Sequence, residues 1–83
     1  MYKYDTEKEF LFTNDGQRMF LQIRDHVGRL LKDAGAVRLD KAISVATGDS
    51  WSMMACVDRM VELGELREIT SNDVVGQHRV FTR

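Results

Sequence analysis

The chain has no proline, one cysteine and no apolar run of the roughly 18–20 residues a membrane-spanning helix requires. Without proline, and with isolated glycines and no repeat or low-complexity tract, nothing marks a linker, so one continuous domain is expected. A lone Cys56 excludes an intramolecular disulfide and fits a reducing compartment. The first residues, MYKYDTEKEF, are too polar for the apolar segment of a secretion signal, which makes the cytoplasm the expected location. An excess of charge of one sign is missing too. Twelve Lys and Arg stand against thirteen Asp and Glu, scattered singly, for a net charge of −1. Such a balance weakens the case for nucleic-acid binding, although a dipolar molecule can still present one basic face.

Sites with recognisable chemistry are equally scarce. His26, His78 and Cys56 have no metal-ligand spacing. There is no G-x-S-x-G, no glycine-rich phosphate loop and no carboxylate pair that stands out from surface charge, and Ser50 and Ser52 read as capping residues before nucleophiles. The expectation is a protein without metal or cofactor that is not an enzyme. What is present is the composition of an ordinary globular domain, 43% apolar and 30% charged. A chain this short buries only about 60% of the surface its unfolded form exposes, so its core is small.

Along the chain, residues 1–13 are ambiguous. Thr6 with Glu9 suits a capping box, while Phe10, Leu11 and Phe12 suit a short strand, the preferred reading. Tyr2, Tyr4, Phe10 and Phe12 pack on the first long helix or form an oligomer contact. That helix is expected over 15–34, with Asn14 and Gln17 as a reciprocal cap, Phe20, Ile23, Val27, Leu30, Leu31 and Ala34 on one stripe, and Gly35 as the stop. Val37 and Leu39 fit a brief strand, and Asp40 caps a short second helix over 40–47 whose buried side is Ala42, Ile43 and Ala46. Asp49 or Ser50 caps a third helix over 50–63. Its inward stripe is Met53, Val57, Met60 and Val61, with Cys56 at the edge. Trp51, Ser52, Met54, Ala55, Asp58, Arg59 and Glu62 are left mostly outward. Gly64 closes it, and "LREIT" and "HRVFTR" read as a β-hairpin over 66–83.

The stretch "RLDKAISVATGDSWSMMACVDRMVELGELREI", with a small residue on the short helix (Ala42 or Ala46), a turn at Gly48 and a leucine-glycine-leucine exit, resembles the winged helix-turn-helix superfamily. The resemblance covers residues 17–83 and implies an α+β fold of three helices with a C-terminal β-hairpin wing; a different α+β arrangement of the same elements is the alternative. It also implies double-stranded DNA as partner and a transcriptional regulator, dimeric in the manner of such proteins, that reads DNA through the third helix and wing. Carried over by position, the reading helix is Ser50, Trp51, Ser52, Met54, Ala55 and Arg59, and the wing is Asn72, Gln77, His78 and Arg79. Arg59 alone on that helix has the forked geometry that reads guanine.

Charge argues the other way. Arg38, Lys41, Arg59, Arg79 and Arg83 fall short of the roughly 6–10 phosphate contacts of a salt-sensitive binder, and Asp49, Asp58, Glu62 and Asp73 stand among them. The competing expectation is a protein-interaction module that uses Trp51 and Met54. Trp51 is either an exposed anchor on that face or a residue that folds back to complete the core.

Overall fold

The computed structural model describes residues 1–70 and 78–83. In chain order it contains α1 (Tyr4–Glu7), a 3-10 turn (Lys8–Phe12), α2 (Asn14–Ala34), β1 (Ala36–Arg38), α3 (Leu39–Ala42), α4 (Ser50–Glu62), β2 (Arg67–Glu68) and β3 (Val80–Thr82). This is an α+β arrangement with one three-stranded antiparallel sheet. The strand order is β1-β3-β2, with Val37 opposite Phe81 and Arg67 opposite Thr82.

The first correction is at the N-terminus, where residues 4–12 are helical and not a strand. Of the apolar trio only Leu11 is buried; Phe12 is exposed. Burying one leucine contributes about 2 kcal/mol, and helical turns allow it here because a single side chain, not an alternating face, has to reach the core. Residues 1–12, hereafter the arm, then lie against α2 and α4. Thr13, not Asn14, caps α2: its hydroxyl accepts from the Gly16 N–H at 3.0 Å, and Gln17 donates instead to the Leu11 carbonyl. At the other end Gly35 adopts the left-handed φ of 78° that was expected, and its N–H donates to the Leu31 carbonyl.

Asp40 does not cap α3. The cap position is Arg38, and Asp40 lies in the first turn, gripped by the Arg38 guanidinium at 2.7 and 2.8 Å. Leu39 starts the helix and is fully buried. The helix ends at Ala42, short of the expected 47, because the Lys41 carbonyl is already engaged: the Ser44 hydroxyl donates to it at 2.8 Å and His26 Nε2 lies 3.1 Å from it. Asp49 caps α4, accepting from the Trp51 N–H and the Ser52 hydroxyl. The core gathers Phe20, Ile23 and Val27 of α2, Met53, Cys56, Val57 and Met60 of α4, and Phe81 of β3.

Gly16 and Gly28 sit in the same helix with opposite demands. A Cβ on Gly16 would overlap the Phe10 carbonyl and come to 2.8 Å of Leu11 Cα, whereas one on Gly28 would meet only the Arg83 guanidinium at an ordinary 3.9 Å. Gly16→Ala is therefore expected to cost about 2–3 kcal/mol through overpacking against the arm. Gly28→Ala is expected to add about 0.5–1 kcal/mol by removing a helix-interior glycine. Urea denaturation of both variants checks the pair.

Candidate functional site

The face of α4 expected to point outward is the face on which the arm is seated. Residues 51, 55, 58 or 59, and 62 recur at three- and four-residue steps and so form one stripe. Along it Tyr2 meets Trp51 edge-on at 6.5 Å between ring centroids and donates its hydroxyl to Asp58 at 2.6 Å. Tyr4 donates to Glu62 at 2.7 Å, Lys8 donates to the other Glu62 oxygen at 3.3 Å, and the Arg59 guanidinium lies over the Phe12 ring at 5.5 Å. Ala55, in the middle of the stripe, is completely buried. Its single methyl lets the arm approach closely.

The ten candidate residues divide accordingly. Ser50 and His78 are exposed, Trp51 is 40% exposed and Met54 is half-buried. Ser52 and Ala55 are corrections: both were expected outward and both are buried, with the Ser52 hydroxyl spent on Asp49. Arg59 is partly buried and paired with Glu62 at 2.6 Å. Asn72 and Gln77 lie outside the described residues. Cys56, expected at the edge of the inward stripe, is fully buried, and burial pushes its thiol up to about 12, which keeps it protonated at neutral pH.

Arg79 is the residue whose environment differs most from the expectation. Its side chain is only 16% exposed. Nη2 donates to Asp58 at 2.7 Å and to Glu68 at 2.8 Å, Nε donates to Glu68 at 3.0 Å, and the guanidinium lies 5.1 Å from the Phe81 ring centroid. Thr70 donates to the same Glu68 carboxylate at 2.7 Å. The Arg79 hydrogen bonds hold Glu68 below the usual carboxylate range, and the Glu68 and Asp58 bonds raise Arg79 despite its partial burial. A guanidinium committed to two carboxylates in this way is a structural cross-link.

Two features of the sequence mark a layer over α4: Gly16, whose missing side chain makes room for residues 10 and 11, and the run Met53-Met54-Ala55-Cys56-Val57, which is apolar all the way round. A helix apolar on every side is one buried on more than one face. Among the described residues no group of three His, Cys, Asp or Glu side chains is placed to hold a metal ion, and no helix is long and apolar enough to cross a membrane. No family model matches the chain, and it has no significant match among curated proteins or solved structures.

Glu62 supplies a pH test of the arm. Hydrogen bonds from Tyr4 and then Arg59 bring its pKa from the usual 4.5 down to about 2. A folded value below the ordinary one means that the contact adds stability above pH 4.5 and loses it as the pH falls through about 2. Between those values the arm is expected to loosen from α4 before the core unfolds, read as loss of chemical-shift dispersion at residues 2–8 with the shifts of Ile23 and Val57 retained. Tyr4→Phe should move that loss toward higher pH.

Removing the Arg79 charge leaves Asp58 and Glu68 facing each other, and loss of one partner from a buried pair costs about 3–5 kcal/mol. Because the cluster still touches water, Arg79→Met is expected to cost about 2–3 kcal/mol. Thermal and urea unfolding give the number.

Proposed function

We propose that this chain is a winged-helix module that binds another protein through the end of α4 bearing Trp51 and Met54. The element order and the pairing of β1 with β3, which brings the last strand between the first and second, support the winged-helix part. The protein-binding part rests on one observation above all: the arm occupies the α4 stripe that a DNA-reading helix needs free. Arg59 and Arg79, the two arginines a DNA interface would use, are held by Glu62 and by Asp58 with Glu68.

What α4 leaves accessible suits a protein better. Trp51 and Met54 are three residues apart and so adjacent on the helix surface, with the Tyr2 ring beside the indole. In sequence Asp49 lies two positions before Trp51 and Asp58 four after Met54, and the arm that brings the Tyr2 ring carries Asp5, Glu7 and Glu9 against Lys3 and Lys8. An aromatic anchor set in acidic surroundings fits an apolar socket on a partner with a basic rim. The DNA reading requires the arm to leave α4 and Arg79 to leave both carboxylates, exposing Leu11 and Ala55 to water.

The test uses two experiments on one protein. A photo-crosslinking residue placed at Met54 is expected to trap a defined protein partner in cells. Trp51→Ala should reduce capture by at least about 30-fold, the loss of an interface hot spot of about 2 kcal/mol or more, while the folded spectrum is unchanged. An amide-resolved titration with a mixed-sequence DNA duplex at low salt is expected to leave residues 50–62 unmoved. Salt-sensitive shifts there, weakened by Arg59→Ala and Arg79→Ala, would replace the protein reading with the DNA one.

A further inference from the structure

The arm and α4 carry more carboxylates than cations, yet the whole chain is nearly neutral, so the cationic surplus lies elsewhere. It is concentrated on the outer face of α2 and at the end of β3. There a groove of about 530 Å³ is lined by Arg24, Arg29, Lys32 and Arg83, with Asp25 as its one carboxylate; a second hollow of about 340 Å³, bordered by Glu65, continues it across Arg24, Gly28 and Arg83.

Three features distinguish this groove from an ordinary solvated charged face. First, Gly28 forms its floor in the interior of a 21-residue helix, where glycine is disfavoured by about 1 kcal/mol relative to alanine. No backbone lies close enough to require it, and the open floor is where the Arg83 guanidinium rests. Secondly, Arg24 and Arg29 are each paired with a carboxylate yet keep their side chains 49% and 65% exposed, where Arg59 and Arg79 are largely withdrawn from water. Glu65 takes Nε and Nη2 of Arg24 at 2.8 Å each, and Asp25 takes Nη1 of Arg29 at 2.6 Å. A guanidinium has five N–H donors in a planar fork, so both arginines keep most of theirs for an acceptor. Thirdly, Lys32 and Arg83 make no ion pair among the described residues.

We propose that this groove is a phosphate-binding site, with Arg24, Arg29, Lys32 and Arg83 as donors around the Gly28 floor, taking either a free diphosphate or successive phosphates of a nucleic-acid strand. Forked guanidinium donors match phosphate oxygens in geometry as well as charge. Arg24 and Lys32 are eight residues apart, which is about 12 Å along a helix. That span accommodates a diphosphate, and also more than one phosphate of a strand whose charges repeat every ~3.4 Å of helix axis. The site is independent of the α4 reading, since α4 supplies only Met60 to the second hollow.

The experiment is an amide-resolved titration of the intact chain with three probes: inorganic pyrophosphate, a twelve-residue oligothymidylate, and an oligoglutamate matched to the oligonucleotide in charge. Shifts at residues 24–32 and 83 are expected with the phosphate probes. Pyrophosphate alone identifies a small phosphate ligand; a far tighter response to the oligonucleotide identifies a strand. For the strand, two to four contacts predict a loss of affinity of about 7- to 50-fold between 50 and 200 mM salt.

Lys32→Ala and Arg83→Ala should each weaken binding at least about tenfold. Gly28→Glu, which places a carboxylate on the floor of a solvent-facing helix position, should abolish it with the folded spectrum intact. Equal binding of oligoglutamate, shifts distributed elsewhere, or a Gly28→Glu protein that still binds would overturn the proposal. None of these outcomes bears on residues 50–62, so the two readings fail separately.

Discussion

The Arg79 guanidinium joins four segments that no regular element connects. It sits just before β3, holds Glu68 of β2 on one side and Asp58 of α4 on the other, and through Asp58 is linked to Tyr2 of the arm. A charge that is mostly withdrawn from water persists only if its donors are met, and here they are met by two carboxylates that also accept hydroxyls from Tyr2 and Thr70. The hydrogen bonds are therefore mutually dependent. Desolvation followed by the bond to Asp58 raises the Tyr2 hydroxyl above its ordinary value, so it remains a donor at any physiological pH. One cationic centre thus links the start of the arm, α4 and the last two strands.

From that centre outward, the molecule has a division of charge that its net value conceals. Residues 1–12 and 49–62 form a side on which carboxylates outnumber cations, and the outer face of α2 with Arg83 forms a side on which the reverse holds. The winged-helix resemblance leads one to expect cations around α4. The structure has its aromatic and methionine side chains there, and its open basic groove around Gly28. A small domain arranged in this way has two chemically distinct surfaces, one apolar and acid-bordered, the other rich in forked donors.

Much of this was legible in advance, for identifiable reasons. The 3.6-residue period of α2, the stop at Gly35, a cap at Asp49 or Ser50 and the last two strands are local signals, and local signals survive folding. The failures all involve competition from a distance or from a neighbouring side chain. Asn14 lost the cap to Thr13 because the preceding turn presents the Thr13 hydroxyl to Gly16. α3 stops early because Ser44 and His26 engage the carbonyl that the next turn would need. Ser52 and Ala55 were placed outward by periodicity alone, since a second layer on α4 can be inferred only from the apolar run around Met54 and from a glycine, Gly16, whose missing side chain makes room for residues 10 and 11. The candidate site was legible as a list of residues and illegible as a surface, because which of them face water depends on the arm.

The reach of those contacts along the chain also sets an order of events during synthesis. Tyr2 and Asp58 are separated by 56 positions, Tyr4 and Glu62 by 58. At a translation rate of about 5–20 residues per second, the arm is made roughly 3–11 s before the helix that receives it. Throughout that interval Phe10, Leu11 and Phe12 have no α4 to rest on. The arm is thus made well before the helix that receives it, and Leu11, fully buried in the folded protein, waits for α4 before its burial is complete.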